Sequence, residues 1–412
     1  MNTQFDTIVI GGGAAGMMAA GAAAENGKSV MLIEKNNILG KKLLITGKGR
    51  CNITNACDDV EELIENVTVN SSFLYSAFYG FSNADVIDFF NNLGVETKVE
   101  RGNRVFPVSD KSQDVVNALI KYIKKNNVKL LNDKVLDVIC DDKNQISGVK
   151  TEKHGVINAR SVIVTTGGLS YRATGSDGDG YKWAEKLGHT IKVPQPSLVP
   201  LEVHETWAYD LMGVSLKNIN ITILNEKGKK IYQDFGEMMF AHFGLSGPVV
   251  LSASAHMRPM ADGKYKLLLD LKPALDEQML DKRILRDFEK YSNKDFVNSL
   301  GDLIPIGLTQ TIVGLSGIDA HKKVNSITKE ERQRLVRVIK GIEFNIKDFC
   351  SIERAIITSG GVSVKEIDPS TMQSKLIKGL YFAGEIIDVD AYTGGFNLQI
   401  AFSTGRLAGL CC

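Results

Sequence analysis

The chain has 412 residues, 43% of them apolar, with 49 Lys and Arg against 48 Asp and Glu. That length predicts two or three domains, and the balanced charge argues against nucleic acid as a partner. Six cysteines, Cys51, Cys57, Cys140, Cys350, Cys411 and Cys412, form no Cys-x-x-Cys pair, so neither a metal site nor a disulfide framework is expected, and the setting is read as cytoplasmic.

In chain order, residues 7–10 read as a buried strand ending in Gly11-Gly12-Gly13. Residues 14–26 have helical character and stop at Gly27, and residues 30–33 form a second buried strand ending at Glu34. A glycine- and lysine-rich loop spans 40–55, followed by helix candidates at 71–78, 83–93 and 114–126, with short strands at 104–106 and 128–131. Residues 135–140, 146–150 and 155–158 predict a small antiparallel meander, and 161–165 a buried strand running into Thr166-Gly167-Gly168, before a helix from 178 to 187. From about 195 to 350 the character changes: strands at 201–203, 219–224, 230–235 and 266–271 predict a sheet or small barrel, with charged helices at 276–298 and 329–338. Residues 380–383 return as a strand, and 395–410 as a loop entering a helix. No opening signal-peptide pattern and no apolar run of membrane-spanning length is present, so no membrane association is expected.

Gly11-x-Gly13-x-x-Gly16 follows one strand directly and opens one helix, and Glu34 closes the next strand. Gly11 permits the tight turn, Gly13 lets backbone approach a pyrophosphate, and Gly16 lets helix pack closely on strand. The helix start offers free N–H groups and a positive dipole end to the phosphates. Glu34 is placed to accept from ribose hydroxyls, and its charge disfavours a 2′-phosphate. This motif alone allows NAD or FAD. The segment Gly379-Leu-Tyr-Phe-Ala-Gly-Glu385 is a strand ending in Gly-Glu, like the second FAD motif of flavoproteins. After it, Thr393-Gly394-Gly395-Phe396-Asn397-Leu398-Gln399 leads into a helix whose N–H groups suit a flavin pyrimidine edge. Together these features predict FAD.

The chain resembles the bacterial and archaeal NAD(P)/FAD-dependent oxidoreductases, an aminoacetone-oxidase-like flavoprotein family that includes a double-bond reductase of the bile-acid pathway. The resemblance is carried by GGGAAG with Glu34-Lys35, by 40–55 (GKKLLITGKGRCNITN), by 167–180 (GGLSYRATGSDGDG), by His242–Pro248 and by 379–405. It implies an α/β fold: a Rossmann-type, glutathione-reductase-like FAD-binding domain (residues 1–192 and 351–412). An inserted β-rich, barrel-like domain (193–350) would interrupt it, carrying a helical insert at about 255–310. It also implies FAD contacts at Gly13, Ala14, Ala15, Glu34, Lys35, Lys42, Thr46, Gly47, Arg50, Asn52, Val135, Thr166, Gly167, Gly384, Glu385, Asn397, Leu398 and Gln399.

Lys41, Lys42, Lys48 and Arg50 make the 40–55 loop basic, which suggests that Arg50 or Lys48 neutralises cofactor charge. Cys51 and Cys57 stand about where disulfide reductases carry a redox pair, but with five intervening residues instead of four, and no second Gly-x-Gly-x-x-Gly domain accompanies them. His242 is the acid–base candidate by residue type, and Tyr392, just before the flavin-facing glycines, is another proton-donor candidate. The expected activity is FAD-dependent reduction of an activated C=C or related bond of a small organic substrate, with NADH or NADPH as transient donor. The alternatives are an oxygen-using oxidase of amine-type substrates and a flavoprotein that binds or modifies RNA. Oligomeric state is left open.

Overall fold

The computed structural model describes residues 5–412. They divide into two compact units, one formed by residues 5–197 with 352–412, the other by 198–351.

The first unit is built on five parallel strands in the order Lys129–Asn132, Val30–Glu34, Phe5–Ile10, Gly155–Val164 and Leu380–Phe382. The inner strands are largely buried over Phe5–Ile10, Val30–Glu34 and 161–164, which is why those stretches read as Ile/Val/Leu runs and show no alternation. Gly155–Val164 does two jobs. Residues 155–158 pair antiparallel with Ile146–Thr151, which in turn pairs with Val135–Cys140, completing the meander. Residues 159–164 pair parallel with the first strand.

Two helices, Ala14–Glu25 and Phe396–Cys411, pack against each other. A Cβ at Gly405 would stand 2.5 Å from the Ala15 carbonyl oxygen, and one at Gly409 2.3 Å from that of Ala19. Backbone therefore meets backbone, and the Ala- and Gly-rich composition of the first helix is the requirement for that approach. A third helix, Ser112–Lys125, closes the other side, where a Cβ at Gly21 would lie 2.1 Å from the Tyr122 ring. Ile191–Ser197 and Ile357–Val362 pair antiparallel, so the chain leaves and re-enters this unit side by side.

The second unit is a closed antiparallel barrel of Leu201–Val203, Gly244–Ser246, Lys230–Ala241, Ser215–Asn225, Tyr265–Asp270 and Ile342–Phe349. The last strand was not anticipated, although Ile342-Glu-Phe-Asn-Ile-Lys alternates with period two. Its helices Glu277–Lys290, Thr309–Ser316 and Lys329–Lys340 lie between the last two strands. They begin later than the expected 255, because Tyr265–Asp270 is a barrel strand, and they continue past 310. Leu280, Ile284, Leu335 and Ile339 bury with barrel residues Leu267 and Phe344 in one core. Among the described residues, no helix is long and apolar enough to cross a membrane.

Candidate functional site

The strands of the first unit end together at Ile10, Glu34, Val164 and Phe382, and the glycine-rich segments follow from those ends, where open α/β sheets bind ligands. Gly11 takes φ +106°, and a Cβ there would lie 2.7 Å from the Thr165 carbonyl oxygen. A Cβ at Gly16 would lie 1.8 Å from the Gly11 oxygen, so helix and strand touch as the fingerprint requires. Thr165 Oγ1, 2.9 Å from the Ile10 carbonyl and 3.0 Å from that of Gly11, braces the turn. Gly13 caps the helix, and a Cβ there would meet nothing within 4 Å. The N–H groups of Ala14 and Ala15, in the first turn, have no intrahelical partner. The Glu34 carboxylate takes the Gly12 N–H at 2.6 Å and Asn36 at 2.7 Å, which fixes it at the end of its strand.

The second wall comes from the other end of the chain. Gly384 takes φ +77°, and its Cβ would lie 2.8 Å from the Ala15 Cβ. Its N–H donates to Thr404 Oγ1 at 3.0 Å. Glu385 gathers three further segments. Lys42 Nζ donates to its Oε2 at 2.6 Å, and Ser170 Oγ and the Thr358 N–H donate to its Oε1, each at 2.8 Å. Thr358 Oγ1 in turn accepts from the N–H groups of Leu169 and Ser170 at 2.7 and 3.0 Å. The Glu385 oxygens tie the 40–55, 167–180 and 356–361 segments together.

The last helix begins at Gly395, φ +106°, without a side-chain cap. Asn397 spends its side chain on the loop before it, accepting from the Ala391 N–H at 3.0 Å and donating to the Ala391 carbonyl at 2.8 Å. Gln399 is fully buried: it accepts from Thr54 Oγ1 at 2.5 Å and donates to the Phe81 carbonyl at 3.0 Å, while its N–H goes to the Gly395 carbonyl. Its second amide hydrogen goes to Ser403 Oγ at 2.8 Å, so both side-chain donors of Gln399 are used within the protein. Its role is to anchor the helix, and the open N–H groups are those of Asn397 and Leu398 in the first turn.

The basic residues also depart from expectation. Arg50 stacks over Phe106 at 4.2 Å and is ion-paired with Glu100 and, at 2.5 Å, with Asp110. Lys35 pairs with Asp177 at 2.5 Å, and Lys41 donates to the Ala173 carbonyl. Lys48 is exposed at φ +59°, between two glycines that are also left-handed. The loop's charge is thus spent largely on the protein's own carboxylates and carbonyls, which dock the 167–180 segment beside Lys35–Lys42. Thr46 Oγ1 donates to the Leu43 carbonyl, and Gly47 packs over the Asn52 backbone. Val135 follows a turn fixed by Asp133. Burial pushes the Asp133 carboxyl up, but bonds from His154 and from the N–H groups of Lys134 and Lys153 outweigh it and hold it at about 2.

FAD can be tested against this cradle by what the protein leaves unsatisfied. Thr166 Oγ1 and Asn52 Oδ1 are both buried and lack a hydrogen-bond partner. Two uncapped helix starts, open space before Gly13 and two orphaned polar atoms match a long ligand rich in phosphate, hydroxyl and amide groups. FAD fits.

The proton-donor candidates fare unequally. His242 and Phe243 form the two-residue hairpin loop between Lys230–Ala241 and Gly244–Ser246, and the imidazole is exposed. The Tyr392 N–H donates to the Asn66 carbonyl at 3.0 Å, within the loop that leads to Gly395. Cys51 and Cys57 are buried thiols. Burial pushes each up to about 12, so neither supplies the thiolate that dithiol exchange needs at neutral pH. Cys412 is buried against the first strand, 3.2 Å from Thr7 Oγ1. The sequence reading missed Ser170, Thr358, Thr54 and Asn55. Ser170, Thr54 and Asn55 lie within the 167–180 and 40–55 segments that carry the resemblance, whereas Thr358 lies outside every such segment.

Similarity to known proteins agrees with this geometry. The chain is 30% identical over 383 residues to a 3-dehydro-bile acid delta(4,6)-reductase of Clostridium scindens, covering 92% of this chain and 91% of the relative. It is 29% identical over 405 residues to a ribosomal RNA dihydrouridine synthase of Escherichia coli, covering 97% and 96%. In fold it is similar to the crystal structure of 3-ketosteroid delta1-dehydrogenase from Sterolibacterium denitrificans, with a TM-score of 0.55, 15% identity and 99% of each chain covered. The family model for the HI0933-like protein Rossmann domain matches residues 5–411. The chain belongs to that HI0933-like family and is an FAD-dependent oxidoreductase.

Proposed function

We propose that the chain reduces a carbon–carbon double bond conjugated to a carbonyl, with electrons delivered from NADH or NADPH. The observation that carries this reading is the end-to-end likeness to two relatives whose names share one chemistry on unrelated substrates. A delta(4,6)-reductase of a 3-dehydro compound saturates a bond conjugated to a ketone, and dihydrouridine is uridine saturated beside its C4 carbonyl. Net, one NAD(P)H and one proton are consumed and the double bond becomes single. FAD, when bound, supplies the two-electron chemistry. The protein's part is to hold it: N–H groups at Ala14–Ala15 and Asn397–Leu398, the Glu34 carboxylate at the strand end, and the Glu385 junction that closes the loops over the cradle.

The acceptor on this reading is a small conjugated carbonyl compound in the cytoplasm. A second reading, uridine in ribosomal RNA, is favoured by the Escherichia coli relative, which aligns over 97% of the chain. Anaerobic stopped-flow of the flavin band with NADH and then NADPH tests the donor; bleaching by neither sinks the proposal. The reduced protein is then offered a 3-oxo-4,6-diene steroid or ribosomal RNA from cells lacking this gene. Reoxidation by the steroid alone supports the small-molecule reading. A gain of two mass units on one uridine supports the second. Reoxidation only by oxygen, with peroxide formed, replaces both with an oxidase.

A further inference from the structure

His189 is buried, and both of its ring nitrogens are engaged. Nδ1 lies 3.2 Å from the Ala184 carbonyl oxygen, and Nε2 lies 2.7 Å from Ser374 Oγ. A carbonyl only accepts, so Nδ1 carries the hydrogen and Nε2 is left as an acceptor. Ser374 Oγ accepts from the N–H groups of Leu376 and Ile377, each at 3.0 Å, so its own hydrogen points at Nε2. One state alone satisfies every group in this set: the neutral ring with its hydrogen on Nδ1. A proton added at Nε2 would set N–H against O–H, at an oxygen whose two lone pairs are taken.

The ring joins three pieces of the first unit. It lies just past the helix Asp179–Lys186, whose own start packs on the strand ends: a Cβ at Gly180 would stand 2.2 Å from Thr166 Oγ1. It meets the Phe382 ring edge-on at 5.1 Å, two residues before Gly384. Through Ser374 it holds the turn that feeds that strand, where the Ser374 N–H donates to the Leu380 carbonyl at 2.7 Å. Thr190 clamps the same turn, giving its N–H and its hydroxyl to the Glu366 carboxylate at 2.7 and 2.8 Å. Of the other titratable groups on these elements, Lys186 pairs with Asp137, Lys375 donates to the Lys365 carbonyl, Tyr381 donates to that of Cys411, and Glu185 is exposed. Burial holds the ring below the usual histidine range, against the pull of the Ala184 carbonyl and the Glu366 carboxylate.

We propose that the His189–Ser374 pair is a proton-operated latch: charging the ring frees the 366–377 turn, loosens the strand that delivers Gly384, and lets FAD go. The sign follows from the neutral ring being the latched form. A histidine held below its ordinary 6.5 stabilises the latched state fully above that value, and the contribution is lost as pH falls from there toward the folded value. Control of the cofactor rests on reading Gly384 as part of an FAD cradle and is independent of which substrate is reduced.

The test measures the FAD dissociation constant of the full-length protein from about pH 7.5 to about pH 5, with wild type and His189→Gln side by side. The Gln amide oxygen can accept from Ser374 Oγ and takes up no proton in this range. Wild type is expected to lose affinity relative to the variant as pH falls, by at most about tenfold per pH unit because a single proton is linked. Ser374→Ala removes the hydroxyl that favours the neutral ring, so its loss should begin at higher pH than in wild type; it carries the comparison if His189→Gln does not fold. The ring nitrogen resonances, assigned by their absence in His189→Gln, should show a neutral ring with its hydrogen on Nδ1 at about pH 6.5. A pH dependence shared equally by wild type and His189→Gln overturns the latch, as does a ring that is half-charged at about pH 6.5 or carries its hydrogen on Nε2. Protein that binds no FAD at any pH sinks the cofactor reading instead, and the ring resonances with acid unfolding of the two proteins then decide the latch.

Discussion

The two helix starts that form the cradle look alike and are held differently. Each begins at an uncapped glycine and leaves N–H groups open. The first is held by its own neighbourhood, with Gly11, Gly16 and the brace from Thr165 all at the end of one strand pair. The last is held from far away in sequence. Thr54 reaches Gln399 across 345 residues, and Asn55 reaches Gly394 across 339. The adenosine end of such a cradle is a local motif, while the flavin end is a tertiary one and depends on the 40–55 loop reaching its place. The difference can be broken at either end.

Gly16→Val should have the largest effect. Its Cβ would sit 1.8 Å from a backbone oxygen, which no rotamer can relieve. A loss of roughly 3 kcal/mol or more in urea unfolding is expected, together with colourless protein. Gly395→Ala should cost less stability yet still shed FAD, because φ +106° and a 2.3 Å approach to Thr54 push the helix start off the strand while leaving the sheet intact. If Gly395→Ala purified yellow with unchanged affinity, the flavin end would not lie at the last helix.

Asp133 serves the first half of the comparison from behind Val135. Its carboxyl lies near 2 when folded, against 3.8 ordinarily, so the stability it contributes is complete above 3.8 and is lost as pH falls toward 2. Asp133→Asn should be less stable than wild type by roughly 2 kcal/mol at neutral pH. The gap should close between pH 4 and 2, as read by acid titration of the far-UV signal. A gap independent of pH would mean that the carboxylate charge plays no part.

How much of this the sequence revealed divides along the same line. The parallel strands, the Gly11–Gly16 turn and Glu34 were readable because period, turn chemistry and spacing are local properties. The division of labour inside the 40–55 loop was not. Arg50 and Glu100 lie fifty residues apart, Lys42 and Glu385 343 apart, and no spacing rule says which cation a distant carboxylate will claim. The anchoring bonds of Gln399 were hidden for the same reason: its position on the helix is visible in the sequence, but the Thr54, Phe81 and Ser403 groups that engage it are not. Ile342–Phe349 was missed although its alternation was present, because its neighbours in the barrel belong to strands more than seventy residues earlier.

The smallest expected effect is the most pointed test of that division. Arg50 looked like the charge that neutralises the cofactor, yet it is about one-third exposed and spends its guanidinium on Glu100 and Asp110 over the Phe106 ring. Ion pairs this accessible contribute little, and a methionine preserves the apolar stem over the ring. Arg50→Met should therefore change FAD affinity by less than about twofold and stability by less than about 1 kcal/mol. Lys42→Met, by contrast, removes the cation that Glu385 and Ser170 both engage, leaving a part-buried carboxylate without its charge partner. It should cost more on both measures. If Arg50→Met sheds FAD as readily as Lys42→Met, the acidic partners of Arg50 are only resting contacts, and its guanidinium turns to the cofactor when FAD is bound.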